Sequence, residues 1–216
     1  AGSRFMKKIT GEELIGKILL MIALSSIGAL FLITVFIFAE GLPVIFKTGF
    51  AAFITGMKWK PTREIFGILP MIAGSFAIMA GAMIVSVPFA LCCSIYLAEF
   101  AGDSMRRVVK PAIELLAGIP SVVYGFIGVT VLVPFIKNYI GGNGFSVLGC
   151  SLVLGVMVLP TITSISYDAL RAVPVSYREG ALALGATRWQ AVKMAVVPAA
   201  SSGIIAAVIL GMGRAI

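Results

Sequence analysis

The 216-residue chain contains no histidine and only nine acidic residues. Histidine is the usual proton-transfer group near neutral pH and the commonest metal ligand, so catalysis or metal binding built on it is excluded. The three cysteines, Cys92, Cys93 and Cys150, lie in apolar stretches without metal-ligand spacing, and they read as packing residues. No glycine-lysine loop of the kind that cradles nucleotide phosphates occurs in the chain, so ATP hydrolysis by these residues is not expected. No nucleophile–base pair and no cofactor motif stand out either. Charge itself is scarce. Only 12% of residues are charged against 60% hydrophobic, with a mean hydropathy of +1.08. That balance excludes an ordinary soluble domain and indicates a polytopic membrane protein. The net charge of +8 is no sign of nucleic-acid binding, because the basic residues sit at the ends of apolar runs and not on one face.

The expected fold is all-α, a polytopic helical bundle. Five apolar segments, at about 18–39, 68–96, 112–136, 145–167 and 196–216, are long enough to cross about 30 Å of hydrocarbon at roughly 20 residues per helix. The first is too long for a typical signal-peptide core and reads as an uncleaved span. No charge lies between Glu64 and Glu99. Pro70 and Pro88 are expected to mark the start of that segment and a kink within it. Residues 1–5 precede Met6 and read as a tag remnant ahead of a natural start. Residues 1–17 are expected to form an N-terminal segment and 18–216 a transmembrane domain. The fifth segment reaches Ile216 without a polar flank, so at least one further span is expected beyond it.

Lysine and arginine orient the spans. With the N-terminus inside, the inner side holds Arg4, Lys7, Lys8, Lys17, Arg106, Arg107, Lys110, Arg171, Arg178, Arg188 and Lys193, which is eleven. The outer side then holds Lys47, Lys58, Lys60, Arg63 and Lys137, which is five. The outer segment 40–64 carries Phe46, Phe50, Phe53 and Trp59. These read either as interfacial anchors or as a contact for an extracytoplasmic protein.

The inner loop at about 174–195 has a helix–glycine–helix pattern. Ser176 with Glu179 fits a capping box, and Gly185 suits a C-terminal stop. Thr187 with Gln190 fits a second box that opens a helix toward Pro198. The first helix places Ala181, Leu182 and Leu184 in water, either to dock another protein or to lie on the membrane surface.

Arg214 is the one ionisable residue deep in a span. Counted straight from Pro198 it lies sixteen residues on, about 24 Å along the axis. A buried arginine costs about 2.5–3.5 kcal/mol on insertion scales, and no acid of the chain is expected at that depth. Ala199, Gly203, Ala207 and Gly211 form a small-residue stripe that contains it, so it is expected to face neighbouring helices or a central path. Two readings stay open. One is a pairing with a carboxylate elsewhere; the other is a guanidinium placed for an anionic substrate.

The spacing from Glu179 resembles the signature of membrane subunits of ATP-binding-cassette importers: Glu-Ala-Ala, three residues, Gly, nine residues, Ile-x-Leu-Pro. Glu179, Ala181, Gly185 and Pro198 match in register, while Gly180, Ala195 and Val197 depart mildly. Three further stretches resemble the phosphate-specific importer permeases, closer to the first of the two paralogous permeases: 66–72, 117–125 and 202–216. The resemblance implies a type I importer fold and a coupling loop that sits in a cleft of an ATPase subunit. It also implies a complex with the paralogous permease, two ATPase subunits and an extracytoplasmic phosphate-binding protein. In the family the last stretch continues with Gly-Glu-Thr, whose acid would partner Arg214. Gly118, Pro120, Tyr124 and Gly125 read as packing and kink residues or as pathway lining, with Tyr124 best suited to offer a hydroxyl to an oxyanion. The expected function is therefore import of phosphate across the inner (plasma) membrane by alternating access, with ATP hydrolysis left to a partner. Sulfate- or molybdate-like import and a non-transporting scaffold or sensor are the competing readings. A membrane enzyme fits least.

Overall fold

The computed structural model describes residues 2–216, with side chains from Glu13 onward. Residue 1, of the tag remnant expected at residues 1–5, and the side chains of Arg4, Lys7 and Lys8 therefore lie outside what is described. The chain forms two compact units, Ala1–Met71 and Ile72–Ile216.

The first unit is dominated by α1 (Gly2–Thr48). Its stretch Glu13–Thr48 is apolar enough to cross a membrane, and none of its most apolar window is buried. A stretch apolar all round and exposed suits lipid or another chain as its surroundings. A short helix α2 (Phe50–Thr55) and a two-stranded hairpin follow. Strand β1 (Trp59–Lys60) pairs antiparallel with β2 (Ile65–Phe66), with Trp59 opposite Phe66. Their rings meet edge to face at 5.5 Å, the arrangement that ring quadrupoles favour. Phe46, Phe50 and Trp59 are exposed.

The second unit is built around α7 (Val147–Ala172). Helix α3 (Leu69–Ile95) carries Pro70 in its first turn and Pro88 inside, then closes in a five-residue π-turn, Tyr96–Phe100. Next come α4 (Asp103–Ala117), α5 (Ser121–Ile127) and α6 (Val133–Tyr139), the last two joined by a π-turn, Gly128–Leu132. After α7 stand α8 (Val175–Ala183) and α9 (Arg188–Ala191). A π-turn, Val192–Val196, leads into α10 (Val197–Ala199), and α11 (Ser201–Ala215) completes the order.

Two expected spans need correction. The segment 112–136 is not one helix. Helix α4 stops at Ala117, and only Ser121–Tyr139 is long and apolar enough to span. The reason is local: Pro120 cannot continue a helix and disfavours helical geometry at Ile119. Nor is 196–216 straight. The helical run Arg188–Ala199 meets Ser201–Ala215 at 69°. Taken together, the bent pair is apolar enough to count as a fifth candidate span. Pro198 stands two residues before the bend at Ala200. Its missing N–H is accommodated by the π-turn, in which Val197 donates to the Val192 carbonyl, five residues back. Pro134 follows the Gly128–Leu132 π-turn in the same way, with Val133 donating to Gly128. With four unbroken candidates and one bent pair, the protein is an all-α polytopic membrane protein.

Small residues bring the helices together. A Cβ on Gly203 would stand 2.5 Å from the Ala169 Cβ, and one on Gly211 2.6 Å from Ile162, so α11 approaches α7 as only glycine allows. Ala207 on the same stripe is fully buried. Ala199 belongs to the helix before the bend and leaves that stripe. One core cluster joins Ala90, Met157, Val158, Ile162 and Ala207. A second, at the α8 end, joins Leu97, Ala98, Tyr167, Leu170, Val173, Val196 and Ala200.

Candidate functional site: a capped docking helix and an interior arginine

Helix α8 begins two residues earlier than the capping-box pattern requires. Pro174 is its N-cap, with no side-chain hydrogen bond. Ser176 therefore lies inside the helix and does not cap it, which corrects the expected Ser176–Glu179 box. Proline fits this position because the first helical N–H groups have no intrahelical partner. The other end follows the expectation. Leu184 is the C-cap and Gly185 adopts φ 85°. The Gly185 N–H donates to the Leu182 carbonyl at 2.9 Å and the Ala186 N–H to the Ala181 carbonyl at 3.2 Å. These two bonds are those of a Schellman motif, which ends the helix with a left-handed residue. Thr187 and Gln190 form the expected capping box. The Gln190 N–H donates to Thr187 Oγ1 at 3.3 Å, and the Thr187 N–H donates to Gln190 Oε1 at 2.8 Å.

The two capped helices leave an open, apolar groove of about 570 Å³, lined by Tyr177, Gly180, Ala181, Leu184, Gln190 and Met194 among others. Leu184 is 91% exposed and Met194 75%. Gly180 has open space where a Cβ would stand, so the alanine of the importer signature would fit here. Glu179 and Pro198 are exposed and Ala181 is half-buried.

Beneath this surface lies an ion-pair system that the sequence alone does not disclose. Arg178 on α8 reaches Glu99 in the π-turn of α3. Its Nη2 donates to Glu99 Oε1 at 2.6 Å, and its Nε donates to Oε2 at 3.0 Å. The side chains are 19% and 9% exposed. Arg178 Nη1 also donates to the Val173 carbonyl at 2.7 Å, and Nη2 to the Leu170 carbonyl at 2.9 Å, at the end of α7. The hydrogen bond donated to Glu99 holds the guanidinium above its ordinary pKa, against the opposing effect of burial and with help from the Glu99 charge. Two more arginines converge on the same turn. Arg106 on α4 donates to the Leu97 carbonyl at 3.0 Å and the Ala101 carbonyl at 2.9 Å. Arg188 on α9 donates to the Glu99 carbonyl at 3.2 Å and lies over the Phe100 ring. Cations suit this place because a helix C-terminus presents unpaired carbonyls at the negative end of its dipole. Lys110 on α4 bonds Asp168 on α7 at 2.8 Å. The Asp168 hydrogen bond raises its pKa, burial opposes, and the Asp168 and Glu114 charges add.

Arg214 and Tyr124 meet at the break between α4 and α5. Arg214 Nη1 donates to Thr161 Oγ1 at 2.7 Å, and Nη2 donates to the Ala117 carbonyl at 2.8 Å. The Tyr124 hydroxyl donates to the neighbouring Leu116 carbonyl at 2.9 Å. Both side chains are half-buried. The Ala117 carbonyl at the end of α4 is thus satisfied from α11, with a cation at the negative end of the dipole, and the Leu116 carbonyl, which also accepts from the Ile119 N–H, gains a second donor from α5. Among the described residues no carboxylate lies within ion-pair distance of Arg214. Two of the five guanidinium N–H donors are used by these protein contacts. Thr161 lies fourteen residues into α7, about 21 Å from its start, so the cluster sits near the middle of the helix. The bend at Ala200 replaces the straight-line depth expected from Pro198: Arg214 is thirteen residues beyond Ser201, about 20 Å along α11.

Sequence reasoning missed Glu99, Arg178 and Thr161. The one available signal was that Glu99 is the acid closing a long charge-free run. Its partner is 79 residues away, beyond any local pattern.

Residues 90–216, well over half of the chain, match the family described as binding-protein-dependent transport system inner membrane component. The chain is 47% identical over 198 residues to the probable ABC transporter permease protein YqgH of Bacillus subtilis, covering 89% of this chain and 64% of that protein. It is 39% identical over 176 residues to phosphate transport system permease protein PstC 1 of Mycobacterium tuberculosis, covering 72% and 52%. To phosphate transport system permease protein PstC of Mesorhizobium japonicum it is 33% identical over 204 residues, covering 85% and 62%. The chain spans about half to two thirds of the length of these relatives. With its membrane-spanning helices and this match, the chain belongs to the family of inner membrane components of binding-protein-dependent transport systems.

Proposed function

We propose that the chain is the membrane-spanning part of a permease subunit that imports inorganic phosphate. ATP hydrolysis occurs in separate subunits that dock on α8 and α9, so the chain is a transport component and not an enzyme. The observation that carries the transport reading is the exposed apolar groove between two capped helices. It supports docking over lying flat, because a concave face with a capped glycine turn does not match a flat bilayer surface. Phosphate as cargo rests on the names of the relatives and on Arg214 in the membrane interior. The working complex pairs the chain with a paralogous permease, two ATPase subunits and an external binding protein, with this chain as the first of the two permeases. Residues 174–195 serve as the coupling loop of a domain over 18–216. The test is uptake by the full-length permease with these partners in proteoliposomes. Radiolabelled phosphate should enter only with ATP inside, and sulfate or molybdate should not compete. Competition by either would make the cargo another oxyanion. ATP-independent retention of partners without uptake would favour a scaffold.

The excess of lysine and arginine around α4, α8 and α9 supports an inside N-terminus, with 40–64 and 137–144 outside. A cysteine replacing Ser176, on a background lacking Cys92, Cys93 and Cys150, is expected to resist membrane-impermeant maleimide in intact cells and to react after permeabilisation. Labelling from outside intact cells would reverse the orientation.

A further inference from the structure

We infer that Arg178 and Glu99 are positioning residues: together they clamp the docking helix α8 to the ends of α3 and α7, so that a displacement of α8 moves both spans at once. The inference rests on the docking role proposed for α8. One guanidinium makes four kinds of contact here, to both Glu99 carboxylate oxygens and to the carbonyls of Val173 and Leu170. Only a planar fork with five donors can do this. The linkage is specific to α8's inner side. Tyr177, Ala181 and Leu184 line the outer groove, while Arg178 and Glu99 line a separate recess with Leu182 and Val192. The surface that would meet a partner and the clamp that would carry its motion therefore use different residues.

Geometry around the π-turn adds to the case. An α-helix end is ordinarily a weak attachment, because its last carbonyls are unpaired. At Tyr96–Phe100 those carbonyls, and the Glu99 side chain, are bound from three separate elements by Arg106, Arg178 and Arg188. Leu97 and Ala98 of the same turn pack with Leu170 and Val173. The ends of α3 and α7 thus form one block, and α8, which follows α7 after Val173 and Pro174, is bonded to the α3 end of that block through the Arg178 side chain. By contrast, a helix held by its own apolar face could slide on the core without carrying it.

Two readouts test the clamp in the full-length permease. The first is amide hydrogen exchange across 175–183, read in the permease alone. Arg178→Gln and Glu99→Gln should each speed exchange there by about tenfold or more, because either change leaves the other charge unmatched in a mostly buried place. The double variant should lose little beyond either single one. The second is phosphate uptake per ATP hydrolysed in the assembled complex. It should fall about tenfold while ATPase subunits still co-purify, and Arg178→Lys, which keeps the charge without the fork, should fall between. Unchanged exchange in both single variants overturns the clamp. Failure of either variant to insert, or equal loss of subunit binding and uptake, makes the pair a general folding element and also overturns it. If the unmodified permease binds no ATPase, the transport reading fails, while the exchange experiment still decides the clamp.

Discussion

Gly185→Val is expected to abolish most ATP-coupled uptake while leaving the protein inserted in the membrane. The effect is conformational, not steric. A Cβ at Gly185 would meet nothing within 4 Å, but the residue sits at φ 85°. A β-branched residue at positive φ is a genuine outlier, and such strain costs about 1–3 kcal/mol. The chain would relieve it by giving up the Schellman bonds from Gly185 and Ala186. Ala186 and Thr187 would then shift, and the capping box that starts α9 depends on Thr187. The groove between α8 and α9 would lose its shape, although no groove-lining side chain had been changed. A graded series separates this from a clash. Gly185→Asn should keep most uptake, because asparagine tolerates the left-handed region; Gly185→Ala should be intermediate and Gly185→Val worst. Uptake per ATP and ATPase-subunit retention would both be measured. Equal activity across the series would remove α8 and α9 from the docking role.

The same loop shows what a sequence can and cannot disclose. Thr187, Gln190 and Gly185 were legible because capping depends on residues three or four apart. Ser176 misled because Pro174, two residues earlier, also starts a helix, and proline's fixed φ won the position. The breaks at 118–120 and Ala200 were partly legible. Hydropathy runs straight through them, but Gly118, Pro120 and Pro198 mark them for a reading that weighs backbone chemistry over apolarity. The small-residue stripe on α11 was read correctly from its spacing, apart from Ala199, since glycines at Gly203 and Gly211 announce close packing. The arginine convergence on the α3 π-turn was invisible. It depends on which helix ends meet in space, and no residue within a turn of Arg178 points to Glu99.

Removing the Arg214 guanidinium is the second change expected to cost nearly all uptake, and the structure sharpens what the loss would mean. Arg214 satisfies the Ala117 carbonyl and the Thr161 hydroxyl at the break between α4 and α5. Both acceptors are half-buried, and leaving a fully buried one unpaired costs about 1–3 kcal/mol, so Arg214→Gln should lower thermal stability modestly, by less than that, as well as stop transport. Stability and transport can be separated. Thr161→Val removes one protein partner and leaves the cation, so it should repeat much of the stability loss and keep measurable uptake. Arg214→Lys keeps the charge but loses the fork that can hold a protein carbonyl and a phosphate oxygen together. If the guanidinium serves the anion, Lys should retain assembly and lose most uptake, with a rise in the phosphate concentration needed for half-maximal rate. If Arg214 instead pairs with an acid supplied elsewhere in the full-length protein, Arg214→Gln should be rescued by neutralising that acid. Normal phosphate uptake by such a double-neutral variant would end the substrate role, and Arg214 would be a cap on α4 whose charge only matched a neighbour.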